Sequence, residues 1–170
     1  MAFAPYVKTT MKTTKEITHL LQLIDEAYEK RAWQGANLRG SIRGLTAQEA
    51  GWRPALERHN IWEIVIHVAY WKYIVRRRLL GEKKGTFPIK GGNWIKRPIV
   101  LKENAWREDV RLLDEMHRSM CEAIHHLEPS DLNRKPAGSK FTNVSIIHGI
   151  ACHDVYHTGQ IQLLKRLMKQ

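Results

Sequence analysis

Cysteine is scarce in this chain, with only Cys121 and Cys152 in 170 residues, which excludes a disulfide framework and fits a reducing compartment. Long apolar runs are missing as well: none approaches the roughly 18 residues that a membrane-spanning helix needs. The opening Met1-Ala2-Phe3-Ala4-Pro5-Tyr6 lacks the charged start and apolar stretch of a secretory leader, so the expected location is the cytoplasm, with no membrane partner. Internal repeats and low-complexity tracts are absent, and 43% apolar with 26% charged residues suits one globular domain, 1–170, with a core over about 13–168. Acidic residues are the scarcer sign, 17 against 28 Lys and Arg, for a formal charge of +11. A basic surplus invites a nucleic-acid reading through counterion release. The distribution argues against it: Arg76-Arg77-Arg78, Lys83-Lys84, Lys96-Arg97 and Lys165-Arg166 lie far apart and are not interleaved with any nucleic-acid-binding motif. A solvated basic surface or an anionic small-molecule substrate accounts for the charge instead.

Helical periodicity dominates what is present. Thr13-Thr14-Lys15-Glu16 has the form of a capping box with Thr13 as the cap, and Ile17, Leu20, Leu21, Ile24, Ala27, Tyr28 and Leu38 predict a first helix ending near Gly40 to Gly44. From Leu45 to His59 the pattern breaks into a connection containing Trp52-Arg53-Pro54. Asn60-Ile61-Trp62-Glu63 predicts a second cap, followed by a helix to about Leu80 with Ile64, His67, Val68, Trp71, Ile74, Val75 and Leu79 on its apolar face. Trp71 is expected to stack beside His67. Gly81 to about Lys102 has no helical period. At roughly 3.3 Å per extended residue it can cross the length of a bundle. A third helix is predicted over Asn104 to Leu127 and a fourth from Asn143, its cap. The expected fold class is all-α, a four-helix bundle running up, down, down, up, with the second and third helices parallel because of the long connection.

Nine histidines are present. His153 and His157 lie four residues apart, an advance of about 6 Å and a rotation only about 40° past a full turn, so their rings point the same way. A third ligand must come from a neighbouring helix, and His67 is the inward-facing donor. In the expected bundle His67 lies about 10 Å from one end of its helix and His157 about 17 Å from the corresponding end of its own, so the three rings can meet at mid-bundle. His19, His59, His117, His125, His126 and His148 read as exposed or hydrogen-bonded helix residues. Asp154 points about 100° away from His153 and reads as a surface or capping contact, Cys152 as a small core residue, and Tyr156 as packing between helices. Gln160 flanks the pair without a ligand's direction.

Taken together, Trp52-Arg53-Pro54, then Asn60-Ile61-Trp62-Glu63 leading into His67, then His153-Asp154-Val155-Tyr156-His157-Thr158-Gly159-Gln160-Ile161, resemble the DinB-like superfamily, in order and spacing from roughly Thr13 to Met168. The C-terminal His-x-x-x-His-x-Gly-Gln element is the most specific part. The resemblance implies a four-helix bundle of the topology above, a homodimer, and a triad of His67, His153 and His157 binding one zinc, nickel or similar divalent ion. Relatives often carry serine where this chain has Asn60, and either residue caps a helix. Members include metal-dependent hydrolases and transferases that use low-molecular-weight thiols such as bacillithiol or mycothiol.

Three neutral imidazoles leave the ion's charge uncompensated, so a bound water or thiol at the triad would lose its proton more readily and serve as the nucleophile. Hydrolysis and thiol transfer on a small molecule are two outcomes of one such site. Imidazole suits zinc, nickel, copper and iron, so the ligand set does not name the metal; the resemblance implies zinc or nickel ahead of iron, manganese or copper. The rival expectation is a non-enzymatic stress protein whose metal is structural or sensory; a structural site is closed by protein ligands, whereas a catalytic one keeps an open position.

Overall fold

In a computed structural model that describes residues 14–170, every regular element is a helix and no strand occurs among the described residues. Four long helices, α1 (Lys15–Tyr28), α4 (Ile61–Leu79), α5 (Glu103–His125) and α6 (Asn143–Leu167), are accompanied by two short ones, α2 (Leu38–Ser41) and α3 (Ala47–Gly51). None of the described helices is long and apolar enough to cross a membrane.

Thr14 caps α1, its hydroxyl accepting the Ile17 N–H; the expected cap, Thr13, lies outside the described residues. Ile17, Leu20, Ile24, Ala27 and Tyr28 bury one face at helical spacing. The predicted continuation through Leu38 is corrected. The chain leaves the helix at Glu29, exposes Lys30, Arg31 and Trp33, and turns at Gly35, whose φ of +96° favours glycine. Leu38, fully buried, belongs to α2, a separate turn capped by Asn37. The 45–59 connection is also more ordered than expected. Thr46 and Glu49 form a complete capping box that starts α3, and the Trp52-Arg53-Pro54 segment ends it.

Asn60 caps α4 as expected, its Oδ1 accepting the Glu63 N–H at 2.7 Å. The single apolar stripe predicted for this helix is not what the fold uses: residues 61–69 are buried on every side. α3, α5 and α6 pack against α4, and the 80–102 connection adds Phe87 and Ile95 to the same core. A helix enclosed in this way contributes about 1.5–3 kcal/mol for each large apolar side chain it hides. At the start of α6 the cap is Thr142 in place of Asn143, one residue earlier than expected; the Asn143 amide instead donates to the Asp131 carbonyl at 2.9 Å.

Contacts between the long helices follow a consistent order. Trp62 packs edge-on against Trp106 and donates its indole N–H to Asp109 at 2.6 Å, while Val75, further along α4, shares a core cluster with Met120 and Ile124, further along α5. On α6 the sequence runs the other way: His157 meets His67, Asp154 meets Lys72, and Ile146 and Ile147 share the cluster of Val75.

Candidate metal centre

The local fold around α4 explains why Trp52-Arg53-Pro54 and Asn60-Ile61-Trp62-Glu63 occur together. Arg53 binds the Glu63 carboxylate through both terminal nitrogens, and His59 Nδ1 lies 3.0 Å from the same group. Burial works against the Glu63 carboxylate, but hydrogen bonds from Arg53, His59 and the Arg97 N–H overcome it and hold its pKa below the usual range. Glu63 is thus an anchor, not the reciprocal half of a capping box. Its partners and the Asn60 amide, which donates to the Arg97 carbonyl at 2.7 Å, tie the far end of the 80–102 connection onto the first turns of α4. Arg97 in turn forms an ion pair with Asp109 at 2.8 Å.

That anchoring brings Asn93 and Trp94 over His67. The Trp94 ring stacks between two imidazoles, 3.9 Å from His67 and 3.7 Å from His59. Trp71, expected to stack on His67, meets it edge-on at 6.5 Å and donates its indole N–H to Asn93 Oδ1. Gly91 permits the bend before Asn93: its φ is +146°, and a Cβ there would stand 2.8 Å from Ile95 Cγ1.

His67, His153 and His157 are brought together as the sequence predicts. His153 Nε2 lies 3.0 Å from His67 Nε2 and 3.1 Å from His157 Nε2. Two nitrogens each about 2.1 Å from one ion stand about 3.0 Å apart at a right angle and about 3.4 Å at the tetrahedral angle, so this spacing suits a shared cation.

The proton inventory gives a second test. A neutral imidazole carries one N–H. His67 Nδ1 donates to the Asn93 carbonyl at 2.8 Å and His157 Nδ1 to Gln160 Oε1 at 2.7 Å, so both Nε2 atoms present lone pairs. His153 Nε2 can supply a proton to only one of them, and its Nδ1 is buried without a partner. Hydrogen bonding therefore leaves at least one Nε2 lone pair of the triad unsatisfied, and all three if the His153 proton sits on Nδ1. A cation resolves the conflict.

Burial lowers the pKa of all three rings: His153 to about 3, with repulsion from His157, His67 and Lys72 adding to it, and His157 to about 4, with His67 adding. Neutral imidazoles are the ligating form. On α5, burial drives His117 to about 2. The folded-state values lie below the ordinary 6.5, so the stability these groups contribute is complete above about pH 6.5 and is lost as the pH falls toward their folded values. Metal-free protein is expected to lose denaturation free energy steadily from pH 6.5 downward in urea titrations; a flat profile between pH 6.5 and 4 would contradict the burial of neutral histidines.

Several flanking residues sit differently from expectation. Asp154 is no surface contact: it forms an ion pair with Lys72 in which the two side chains are 1% and 0% exposed. Cys152 is exposed instead of core, and Tyr156 is 63% exposed instead of packed between helices, its hydroxyl accepting from Gln160 Nε2. His117 is buried and stacked on Tyr28 at 3.7 Å. Asn93, Trp94 and Lys72 were not foreseen as neighbours of the triad. Trp94 beside the glycine pair Gly91-Gly92 was the one available signal.

His153 is also one of the residues lining a cavity of about 290 Å³, together with Trp71, Val75, Arg78, Ile146 and Ile150. Gly149 also lines it, and a Cβ there would meet nothing within 4 Å.

A family model described as the DinB superfamily matches residues 30–161. No curated protein and no solved structure matches the chain significantly.

Proposed function

The chain belongs to the DinB superfamily, and from that membership and the converging histidines we propose that it holds one divalent ion, zinc or nickel in preference, on His67, His153 and His157 and acts on a small molecule as a metal-dependent hydrolase or low-molecular-weight-thiol-dependent transferase. The observation that carries the catalytic reading is the position of His153, at once a member of the triad and part of the wall of an apolar cavity. A divalent ion there supplies Lewis acidity, lowering the pKa of a water or thiol beside it and polarising a carbonyl. The protein's own residues do the rest. Asn93 and Gln160 fix the tautomers of His67 and His157, and Trp71, Val75, Ile146 and Ile150 exclude water from the approach. Arg78, exposed and without an ion-pair partner among the described residues, suits a substrate with an anionic group.

The same reading takes the chain as one cytoplasmic domain, with its long helices in an up, down, down, up bundle. The parallel order of contacts between α4 and α5, and the reversed order between α4 and α6, support that topology. The same reading also takes the protein as a homodimer, as the resemblance implies, and the exposed Tyr156 and Leu163 of α6 are available to such a contact.

Gln160→Ala is expected to weaken the triad's metal affinity about 10–100-fold by freeing the His157 ring, as measured by competition with a chromophoric chelator. Activity is tested by screening ester and electrophile panels, with and without thiols, using metal-free and metal-loaded protein. Turnover that appears only with metal and vanishes in His153→Ala supports the proposal. If metal removal lowers the melting temperature yet no turnover depends on it, the structural or sensory reading replaces it.

A further inference from the structure

On the face of the molecule where α1 meets α5, three different metal-ligating side chains converge: Asp25 from α1, and His117 and Cys121 one turn apart on α5. We propose that they form a second divalent-cation site, for a zinc-class ion, which clips α1 to α5 and is separate from the histidine triad. Asp25 precedes the residues matched by the family model, 30–161.

The distances suit a shared ion, although the thiol–imidazole contact is also within reach of an S–H···N hydrogen bond. His117 Nε2 lies 3.6 Å from Cys121 Sγ and 3.7 Å from Asp25 Oδ1. The second separation is too long for a hydrogen bond. Around a tetrahedral zinc, with bonds of about 2.0–2.1 Å to nitrogen and oxygen and 2.3 Å to sulfur, the N···S edge is about 3.6 Å and the N···O edge about 3.3 Å, widening to about 3.7 Å as the angle opens. His117 is 4% exposed, its Nδ1 is buried without a partner, and the Tyr28 ring stacked on it holds its orientation. A thiol–imidazole hydrogen bond accounts for the Cys121 contact but not for the Asp25 carboxylate held just beyond hydrogen-bond range of the same nitrogen.

Burial leaves His117 neutral, the ligating form. It also raises the Cys121 thiol to about 12, so the thiolate forms only as the ion displaces its proton. Binding releases the thiol proton to solvent and forms a metal–sulfur bond, while Lys30, 62% exposed at its side chain, gives up its pairing with Asp25. One carboxylate and one thiolate then balance the dication, unlike the triad, where nothing does. A surface depression of about 420 Å³ opens over the three residues, with Glu29 and His125 also lining it, and leaves room for solvent as a fourth ligand.

Cobalt(II) tests the proposal, because a thiolate ligand gives a sulfur-to-cobalt charge-transfer band in the near ultraviolet. Tag-free protein is stripped of metal and titrated in a Cys152→Ser background, which removes the other thiol. The band is expected there, is expected to persist when His153→Ala is added, and is expected to vanish with Cys121→Ser. Should Cys121→Ser lose helical circular dichroism, Asp25→Asn decides instead, with cobalt affinity through the band falling at least tenfold. No band with Cys121 intact, a band that survives Cys121→Ser, or unchanged affinity in folded Asp25→Asn would overturn the site. Loss of the band on adding His153→Ala would assign the thiolate to the triad and overturn it equally.

Discussion

His153→Ala is expected to weaken divalent-metal binding at the triad by about a thousandfold or more, since removing a mere outer-shell partner already costs 10–100-fold. The Nε2 of His153 is the one nitrogen within about 3 Å of both others, so its removal leaves His67 and His157 without the atom that links them. The ring is only partly buried, which keeps the cost to the fold small. Chelator competition in a Cys121→Ser background isolates the triad, and circular dichroism verifies folding. Near-stoichiometric metal of unchanged affinity in the folded variant would remove His153 from the site.

Lys72→Met is expected to cost about 3–5 kcal/mol, because it leaves the Asp154 carboxylate uncompensated in a fully enclosed position. Burial already pushes the Asp154 carboxyl up, with Lys72 acting against that. For a chain of this length the melting temperature should fall by about 6–20 °C. The double variant Lys72→Met with Asp154→Leu should recover most of the loss, since an apolar pair of similar volume replaces two buried charges. A single variant within about 1 kcal/mol of the parent in urea denaturation would show that water reaches the pair. Because Asp154 adjoins His153 in the chain, the pair also fixes the register in which α6 presents the triad.

Legibility in the sequence followed the range of the interactions. His153 and His157 were readable because four-residue spacing on one helix is local geometry. His67 became readable once a crossover was inferred from the length of the connection after Leu80. The cap at Asn60 and the α4 boundaries were equally local. By contrast, Lys72 and Asp154 are 82 positions apart, and neither carries a local mark of its partner. The anchoring of Asn93 and Trp94 depends on Arg53, Asn60 and Glu63 together gripping Arg97, a cooperation among side chains that periodicity does not encode. The sequence reads too long a first helix because Leu38 continues its apolar pattern by coincidence, although the stretch from Glu29 to Gln34 buries no side chain that would continue it.

The central claim is that the triad holds a metal ion with a position left open. It is tested most directly by the anomalous-scattering map of crystals grown from Cys121→Ser protein loaded with one equivalent of zinc. The expected result is a peak about 2.0–2.1 Å from Nε2 of each of His67, His153 and His157, with solvent or an added thiol completing the coordination. A peak elsewhere, or a fourth protein ligand closing the ion off from the Trp71 and Ile150 cavity, would contradict it.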